Sequence, residues 1–396
     1  MLTSLALIFL CGLLMGSLFK KLKLPRLIGM LITGIVLGPY VLNILDPGIL
    51  SISGDLRQIA LIIILARAGF SLEIDDLKAI GRPAVLMCFV PACFEMLATT
   101  ILAPKLLHLP LLDSAILAAV IASASPAVIV PRMLMLMEKG YGTDKNIPQL
   151  ILAGDSVDDI FNIVVFTSLL GLTGGGEISP LRFASIPVSI LSGAILGIFT
   201  GIALNFIFKK IHMRDSIKIL IILSLGFLLV SGEDLLQDIF PFSGLLSVMA
   251  AGVIILKKSP VTAKRISGKL SKLWVAAEVI LFVLVGASVD IRYISYTGLS
   301  AVLMLILALM VRGFGILLCL VKTRLSWKER IFCTFTGIPK ATVQAAIGGI
   351  PLAMGLENGA AILAAAVISI LFTAPLGAIV LDKSYKHLLS HKINKN

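Results

Sequence analysis

"AGDSVDDIFNIVVF", residues 153–166, sets three carboxylates, Asp155, Asp158 and Asp159, into a stretch otherwise composed as a lipid-facing helix. From Asn146 to Gly176 no other charged side chain occurs. The solvent around that stretch follows from composition: 58% of the chain is apolar and 14% charged, against about 25% charged in soluble domains. Between charged clusters the gaps repeatedly hold about 20 apolar residues, the length that crosses a hydrocarbon core. The chain therefore reads as an all-α membrane protein with about thirteen transmembrane helices.

A net charge of +12 would suit nucleic acid if the cations formed one patch, but they alternate along the chain. Lys20, Lys21, Lys23 and Arg26, then Lys78 and Arg82, Lys139 and Lys145, Lys209 and Lys210, the run KKSPVTAKRISGKLSK at 257–272, Lys322 to Arg330, and a tail with Lys392 and Lys395 fall in every second loop. The positive-inside rule makes that side cytoplasmic, with the N-terminus outside and the C-terminus inside. The basic balance is thus topology, and no nucleic-acid partner is expected. Residues 1–19 have no charged leader and precede KKLK, which fits a retained first crossing. Cys11, Cys88, Cys93, Cys319 and Cys333 lie in apolar segments and read as packing residues.

A charge at the centre of a membrane helix costs about 2.5–3.5 kcal/mol, so each one calls for a partner or a function. Five lie deep: Glu95 in segment 4 (83–104), Asp158 and Asp159 in segment 6 (148–173), Arg312 in segment 11 (297–321) and Lys340 in segment 12 (331–355). Three acids face two bases, which leaves one negative charge for a group that comes and goes. Asp158 and Asp159 project about 100° apart on a helix, while Asp155 and Asn162 stand one turn before and after them and extend the polar stripe. Asp155 suits an access funnel or a solvated edge. Glu95 with Arg312 equally fits a pair that locks helices together. Arg67, Arg132 and Glu278 lie within snorkelling reach of the inner interface.

Two segments carry breaks. SASPAVIVPR in segment 5 (112–137) holds Pro126 and Pro131, and TGIPKATVQAAIGG in segment 12 holds Gly337 and Pro339. Proline removes a helix donor, and freed backbone groups are tolerated in lipid only where protein or a wet cavity satisfies them. Segments 5 and 12 differ by an odd number and so cross in opposite directions. That is the order of an inverted repeat, segments 4–6 against 11–13, with an ion site expected where the broken helices meet.

The pair Asp158-Asp159, SPAVIVP, GYGTDKNIP and IPKATVQAAIG, with RLIGMLITGIVLGP at 26–39, LARAGFSLEI at 65–74 and LFVLVGASVDI at 281–291, closely resemble the sodium/proton antiporters of the cation-proton antiporter superfamily, NHA-type branch. The resemblance implies an inverted-repeat antiporter fold with two crossing broken helices and elevator-type alternating access. Asp159 would be the cation and proton carrier, with Asp158 sharing the site. Arg312 stands where several relatives have a lysine, Glu95 is placed to pair with it, and Lys340 is left for Asp158. Asp155 stands where animal relatives are expected to have a small residue. A homodimer is implied, with dimer scaffold helices at 1–80 and 212–292, a connecting helix at 177–211, core ion-transport helices at 81–176 and 293–382, and a basic cytoplasmic tail at 383–396.

A hard cation needs oxygen ligands to replace its water. Beside Asp158 and Asp159, the hydroxyls of Ser123 and Ser125 and the turn freed by Pro126 could supply them. The expected activity is exchange of Na⁺ or Li⁺ for H⁺, one for one, in a bacterial-type cell membrane, with no cofactor and no enzymatic step. A K⁺/H⁺ exchanger uses the same ligand chemistry, and a cation channel the same polar stripe. An intramembrane aspartyl protease is disfavoured, since Leu152 stands where its GxGD motif has the first glycine. No HExxH occurs for a metalloprotease.

Overall fold

The computed structural model describes residues 1–71, 81–173, 180–236, 240 and 242–391. Lys78, Lys392 and Lys395, and the end of the 65–74 motif, lie outside the described residues. The described residues are helical, with no strand among them. The chain opens with α1 (Leu2–Lys21), α2 (Arg26–Leu37), α3 (Pro47–Ser51) and α4 (Ser53–Gly69). Next come α5 (Arg82–Met87), α6 (Val90–Leu106), α7 (Leu111–Ile121), α8 (Pro126–Glu138) and α9 (Ile147–Gly171). The middle is α10 (Pro180–Lys210), α11 (Asp215–Leu236), α12 (Gly244–Lys258) and α13 (Pro260–Ala287). The chain ends with α14 (Ile291–Cys319), α15 (Trp327–Thr336), α16 (Thr342–Ile347), α17 (Ile350–Ala353) and α18 (Gly359–Leu388).

Eight helices or helix pairs among the described residues are long and apolar enough to cross a membrane. The other segments expected from sequence coincide with α2, α4, α9, α12 and α15–α17, which are short, interrupted or carry the aspartates. Local chemistry sets the ends. Ser243 caps α12 by accepting from the Leu246 amide, and Ser326 and Glu329 close a reciprocal capping box on α15. Lysines at 20 and 21, 209 and 210, and 257 and 258 sit on the last turns of α1, α10 and α12, where the helix dipole favours cations. All five cysteines are free.

Contacts group the chain into two units. One comprises Met1–Gly54, Asp75–Ile163 and Leu281–Asn396; the other comprises Asp55–Ile74 and Val164–Ile280. In the first unit, α2 meets the end of α13 backbone to backbone: a Cβ on Gly34 would lie 1.9 Å from the Val283 carbonyl oxygen, and one on Gly286 2.1 Å from that of Leu31. In the second, Gly193, Gly197 and Gly201 on α10 face Ser243, Ser247 and Ala251 in the same way. Lipid tails give apolar helices no hydrophobic reason to associate, so close van der Waals approach through small residues holds them.

The expected breaks are present in the first unit. Segment 5 stops at Ile121 and restarts at Pro126, and segment 12 stops at Thr336 and restarts at Thr342. Pro131 differs from expectation, because α8 runs through it to Glu138. The amide that Pro131 lacks would have served the Ala127 carbonyl in the first turn, and the loss of that one bond leaves the rest of the ladder to continue. Segment 4 is also interrupted, between α5 and α6, where Pro91 has no N–H to offer the Met87 carbonyl.

Gly197→Leu should pry α10 from α12 and lower thermal stability in detergent, since a Cβ there would lie 2.4 Å from the Ser247 carbonyl oxygen. Overpacking of this kind costs about 1–3 kcal/mol. Gly268→Ala on α13, where a Cβ meets nothing within 4 Å, should instead stabilise by about 0.5–1 kcal/mol. Melting curves of the two variants test both signs.

Candidate functional site

The two breaks meet directly: the Ser125 amide donates to the Pro339 carbonyl at 2.8 Å. Around that junction the carbonyls freed at the end of α7 are met by side chains from other helices. Gln344 Nε2 donates to the Ser123 carbonyl at 2.9 Å and to that of Ile121 at 3.4 Å. Lys340 Nζ reaches the Ala122 carbonyl at 3.4 Å, and Arg312 Nη1 also donates to it. The break is therefore stable in an apolar medium, since the polar groups it exposes are occupied.

Those same cations organise the acids. Arg312, on α14 and 3% exposed, bridges two carboxylates: Nη1 lies 3.1 Å from Glu95 Oε2 and Nη2 lies 2.8 Å from Asp158 Oδ2. Lys340 Nζ lies 2.7 Å from Glu95 Oε2. The expected Lys340–Asp158 pair is thus replaced by a Lys340–Glu95 pair. The cause is the break itself. The Lys340 amide is anchored on Thr373 Oγ1 of α18 at 3.0 Å, which sets the lysine on the Glu95 side, while the Arg312 fork reaches past Ala122 to Asp158. Gly337 makes room for it, since a Cβ there would lie 2.9 Å from Arg312 Nε. Glu95, Asp158, Arg312 and Lys340 form a buried quartet with no net formal charge.

Asp158 and Asp159 face different surroundings, as their helical offset requires. Asp158 is fully engaged: Oδ2 also accepts from the Ala124 amide at 3.0 Å, and Oδ1 accepts from Asn162 Nδ2 at 3.3 Å. Asp159 is half-buried and accepts a hydrogen bond from the Ser123 hydroxyl. Ser125 is fully buried, and its hydroxyl has no partner. Asp155 is buried, with one oxygen unpartnered. Asp159 and Ser123 are thus bonded to each other at the segment 5 break, and Ser125 stands two residues further along the same break. Gln344 and Thr373 did not stand out in the sequence. Their signal was a buried-type polar residue in an apolar run, visible for Gln344 within PKATVQAA.

Farther out, Arg132 makes a two-pronged pair with Asp382, Nε to Oδ1 at 2.9 Å and Nη2 to Oδ2 at 2.8 Å. Lys145, in the short turn Thr143–Lys145 before α9, donates to both Glu329 oxygens at 3.0 and 2.8 Å. That bond ties the start of α9 to the start of α15. Burial alone would raise the Glu329 carboxyl, but the Lys145 ammonium and the Ser326 amide outweigh it and hold the group below its ordinary value.

Residues 5–382 match the protein family described as "Sodium/hydrogen exchanger, transmembrane". "Sodium/hydrogen exchanger 9B2" of Mus musculus is 32% identical over 396 residues, covering 94% of this chain and 71% of the relative. The Homo sapiens protein of the same name is 31% identical over 411 residues, covering 98% of this chain and 75% of the relative. The structure of the sodium proton antiporter MjNhaP1 from Methanocaldococcus jannaschii at pH 8 superposes with a TM-score of 0.86 at 21% identity, covering 98% of each chain. At that identity it shows a shared fold.

Removing one member of a buried ion network leaves a charge unpaired, at a cost of about 3–5 kcal/mol. Arg312→Met should therefore lower stability more than Lys340→Met, because it leaves Asp158 without a cation, whereas Glu95 keeps Arg312 when Lys340 is removed. Glu95→Gln combined with Lys340→Met should recover part of the loss in a double-mutant cycle; strict additivity would separate the two. Glu329 makes a pH prediction. Its depressed value means that the Lys145 tie contributes fully above the unfolded glutamate value of about 4.3 and is lost as pH falls through the folded value. Glu329→Gln should lower the melting temperature at pH 7 and remove that part of its fall on acidification, read from thermal scans between about pH 3 and 7.

Proposed function

The chain belongs to the transmembrane sodium/hydrogen exchanger family and is a cation/proton antiporter, a membrane transporter and not an enzyme; on that premise we propose that it exchanges Na⁺ or Li⁺ for H⁺, one for one, at Asp159. The observation that carries this reading is the contrast between the two neighbouring acids. Asp158 is held by a guanidinium, an amide and an asparagine, whereas Asp159 has the Ser123 hydroxyl and an open side. With the quartet neutral, the carboxylate of Asp159 is the charge that an arriving ion can balance. A proton or a metal ion can occupy it, but not both, and that exclusion couples their movements.

In the cation-loaded state, Asp159 supplies the anionic oxygen, and the hydroxyl oxygens of Ser123 and Ser125 replace water. Ser125 fits because its buried oxygen lacks any other partner. In the proton-loaded state, Asp159 is neutral and the site carries no extra charge. Both loaded states then differ little in formal charge, which suits a site that must cross the membrane barrier loaded with either ion. Arginine does not deprotonate in proteins, and Lys340 bonds Glu95 instead of the ion site. One proton per cation is the stoichiometry these contacts favour.

The family resemblance supplies the rest of the reading: a homodimer scaffold at 1–80 and 212–292, a connector at 177–211, and core helices at 81–176 and 293–382 that change access by an elevator motion. The alternation of basic loops supports a cytoplasmic C-terminus, and the proposed setting is a bacterial-type cell membrane.

Asp159→Asn, which keeps the shape and removes the exchangeable charge, should fold and yet lose the proton efflux that external Na⁺, Li⁺ or K⁺ drives from acid-loaded proteoliposomes. Transport at the parent's rate would overturn the assignment. A K⁺/valinomycin clamp reads the stoichiometry: one-for-one exchange runs at the same rate with and without it, whereas two protons per cation would be slowed by the potential that builds up in its absence.

A further inference from the structure

The quartet and Asp159 leave one buried acid without a role. Asp155 stands on α9 one turn before Asp159, on the Asn146 side; it is 6% exposed, and its Oδ2 has no hydrogen-bond partner. No ion pair holds it among the described residues. A buried acceptor left unbonded costs about 1–3 kcal/mol, and more when it is charged, so a sequence that needed only a packed helix would be better served by a small apolar residue.

The residue before Asp155 packs on the end of α5, at the interruption in segment 4. The preceding residue, Gly154, lets α9 approach α5 so closely that a Cβ would lie 2.8 Å from Met87 Cβ and 3.6 Å from the Met87 carbonyl carbon. Pro91 cannot donate to that carbonyl, so the helix leaves Met87 without its ordinary partner. Cys88 lies within electrostatic reach of both Asp155 and Asp158, but its thiol already donates to the Ala84 carbonyl at 3.2 Å. The charged groups within reach of Asp155 are Asp158, Asp159, Arg312 and Lys340. Arg312 and Lys340 are committed to the quartet. Asp155 therefore combines a buried acid oxygen without a hydrogen bond, a place beside the end of α5 where proline frees a backbone carbonyl, and no uncommitted cation among the charges within reach.

We propose that Asp155 and the backbone freed at the α5–α6 interruption form a second holding site for the transported monovalent cation, one helical turn from Asp159. The inference rests on the antiport reading above and adds a step to it. Side chains one turn apart on a helix are about 5–6 Å apart at Cβ, close enough for an ion to pass from one carboxylate to the next with partial dehydration. A cation waiting at Asp155 raises the local ion concentration beside Asp159 and is displaced toward it when Asp159 gives up its proton.

The test uses the intact chain at one fixed alkaline pH, with Na⁺ or Li⁺ titrated against choline. In detergent, Asp159→Asn should retain a weaker but saturable Na⁺- and Li⁺-dependent rise in melting temperature, and adding Asp155→Asn should abolish it. In proteoliposomes, Asp155→Asn should raise the KM for Na⁺ about tenfold while kcat falls less, a split that a merely structural role would not produce. Asp155→Ser serves as a second variant if the amide misfolds. A complete loss of cation-dependent stabilisation in Asp159→Asn alone, or a parental KM in the Asp155 variants, would overturn the proposal. Transport by Asp159→Asn at the parent's rate is a separate result, which strikes the assignment of Asp159 and leaves the stabilisation data to judge Asp155.

Discussion

The Arg312 guanidinium is the group on which the rest of the core rests. It is bonded at once to Glu95 on α6, to Asp158 on α9 and to the Ala122 carbonyl at the broken segment 5. A membrane interior has no water to satisfy any of these groups. A planar fork of donors is suited to the task, because it can serve several acceptors in fixed directions without losing its charge. A lysine at the same place would offer a point charge with no such geometry, and Lys340 accordingly serves a single carboxylate and reaches a carbonyl only at 3.4 Å.

From that anchoring follows a division of labour between adjacent acids. Asp158 is spent on structure in this arrangement: its oxygens hold the guanidinium, the Ala124 amide and Asn162. Asp159, rotated by about 100°, points to the hydroxyl of Ser123 and keeps a side open. Two identical residues, adjacent along the chain, thus differ in what holds them. The broken helices serve the same end. Their freed carbonyls are occupied from one side by Arg312, Lys340 and Gln344, which holds the turn between Ser123 and Ser125 in place.

Much of this arrangement was legible before any coordinates. Five charges in apolar segments announced a site because each is costly in lipid, and the Pro and Gly interruptions located the place where backbone groups need partners. Gly193, Gly197 and Gly201, spaced every four residues, give one face of α10 the small side that close helix approach needs, and that face meets Ser243, Ser247 and Ala251. Pro131 misled because a proline signals one lost donor but not whether the helix around it stops, and here it falls one turn inside a helix that already starts at Pro126. The interruption at Pro91 passed unnoticed for the opposite reason: at one end of an apolar run a proline looks like an ordinary helix start.

By itself, the amino-acid sequence determined the solvent of the chain, its helical class, the acids and bases that must meet, and the two breaks between which they meet. These follow from free-energy costs paid residue by residue, which composition and spacing express directly. Tertiary structure alone decided who pairs with whom. Lys340 was free to choose Asp158 or Glu95 on charge alone, and the choice fell to Glu95 because Thr373, thirty-three positions away on α18, anchors the Lys340 amide. It likewise decided that Asp158 is bound and Asp159 open, since the face each presents depends on where α14 and the broken segment 5 lie against α9. Pairing in a buried network is set by directions and distances across helices far apart in sequence, and no local residue pattern carries them.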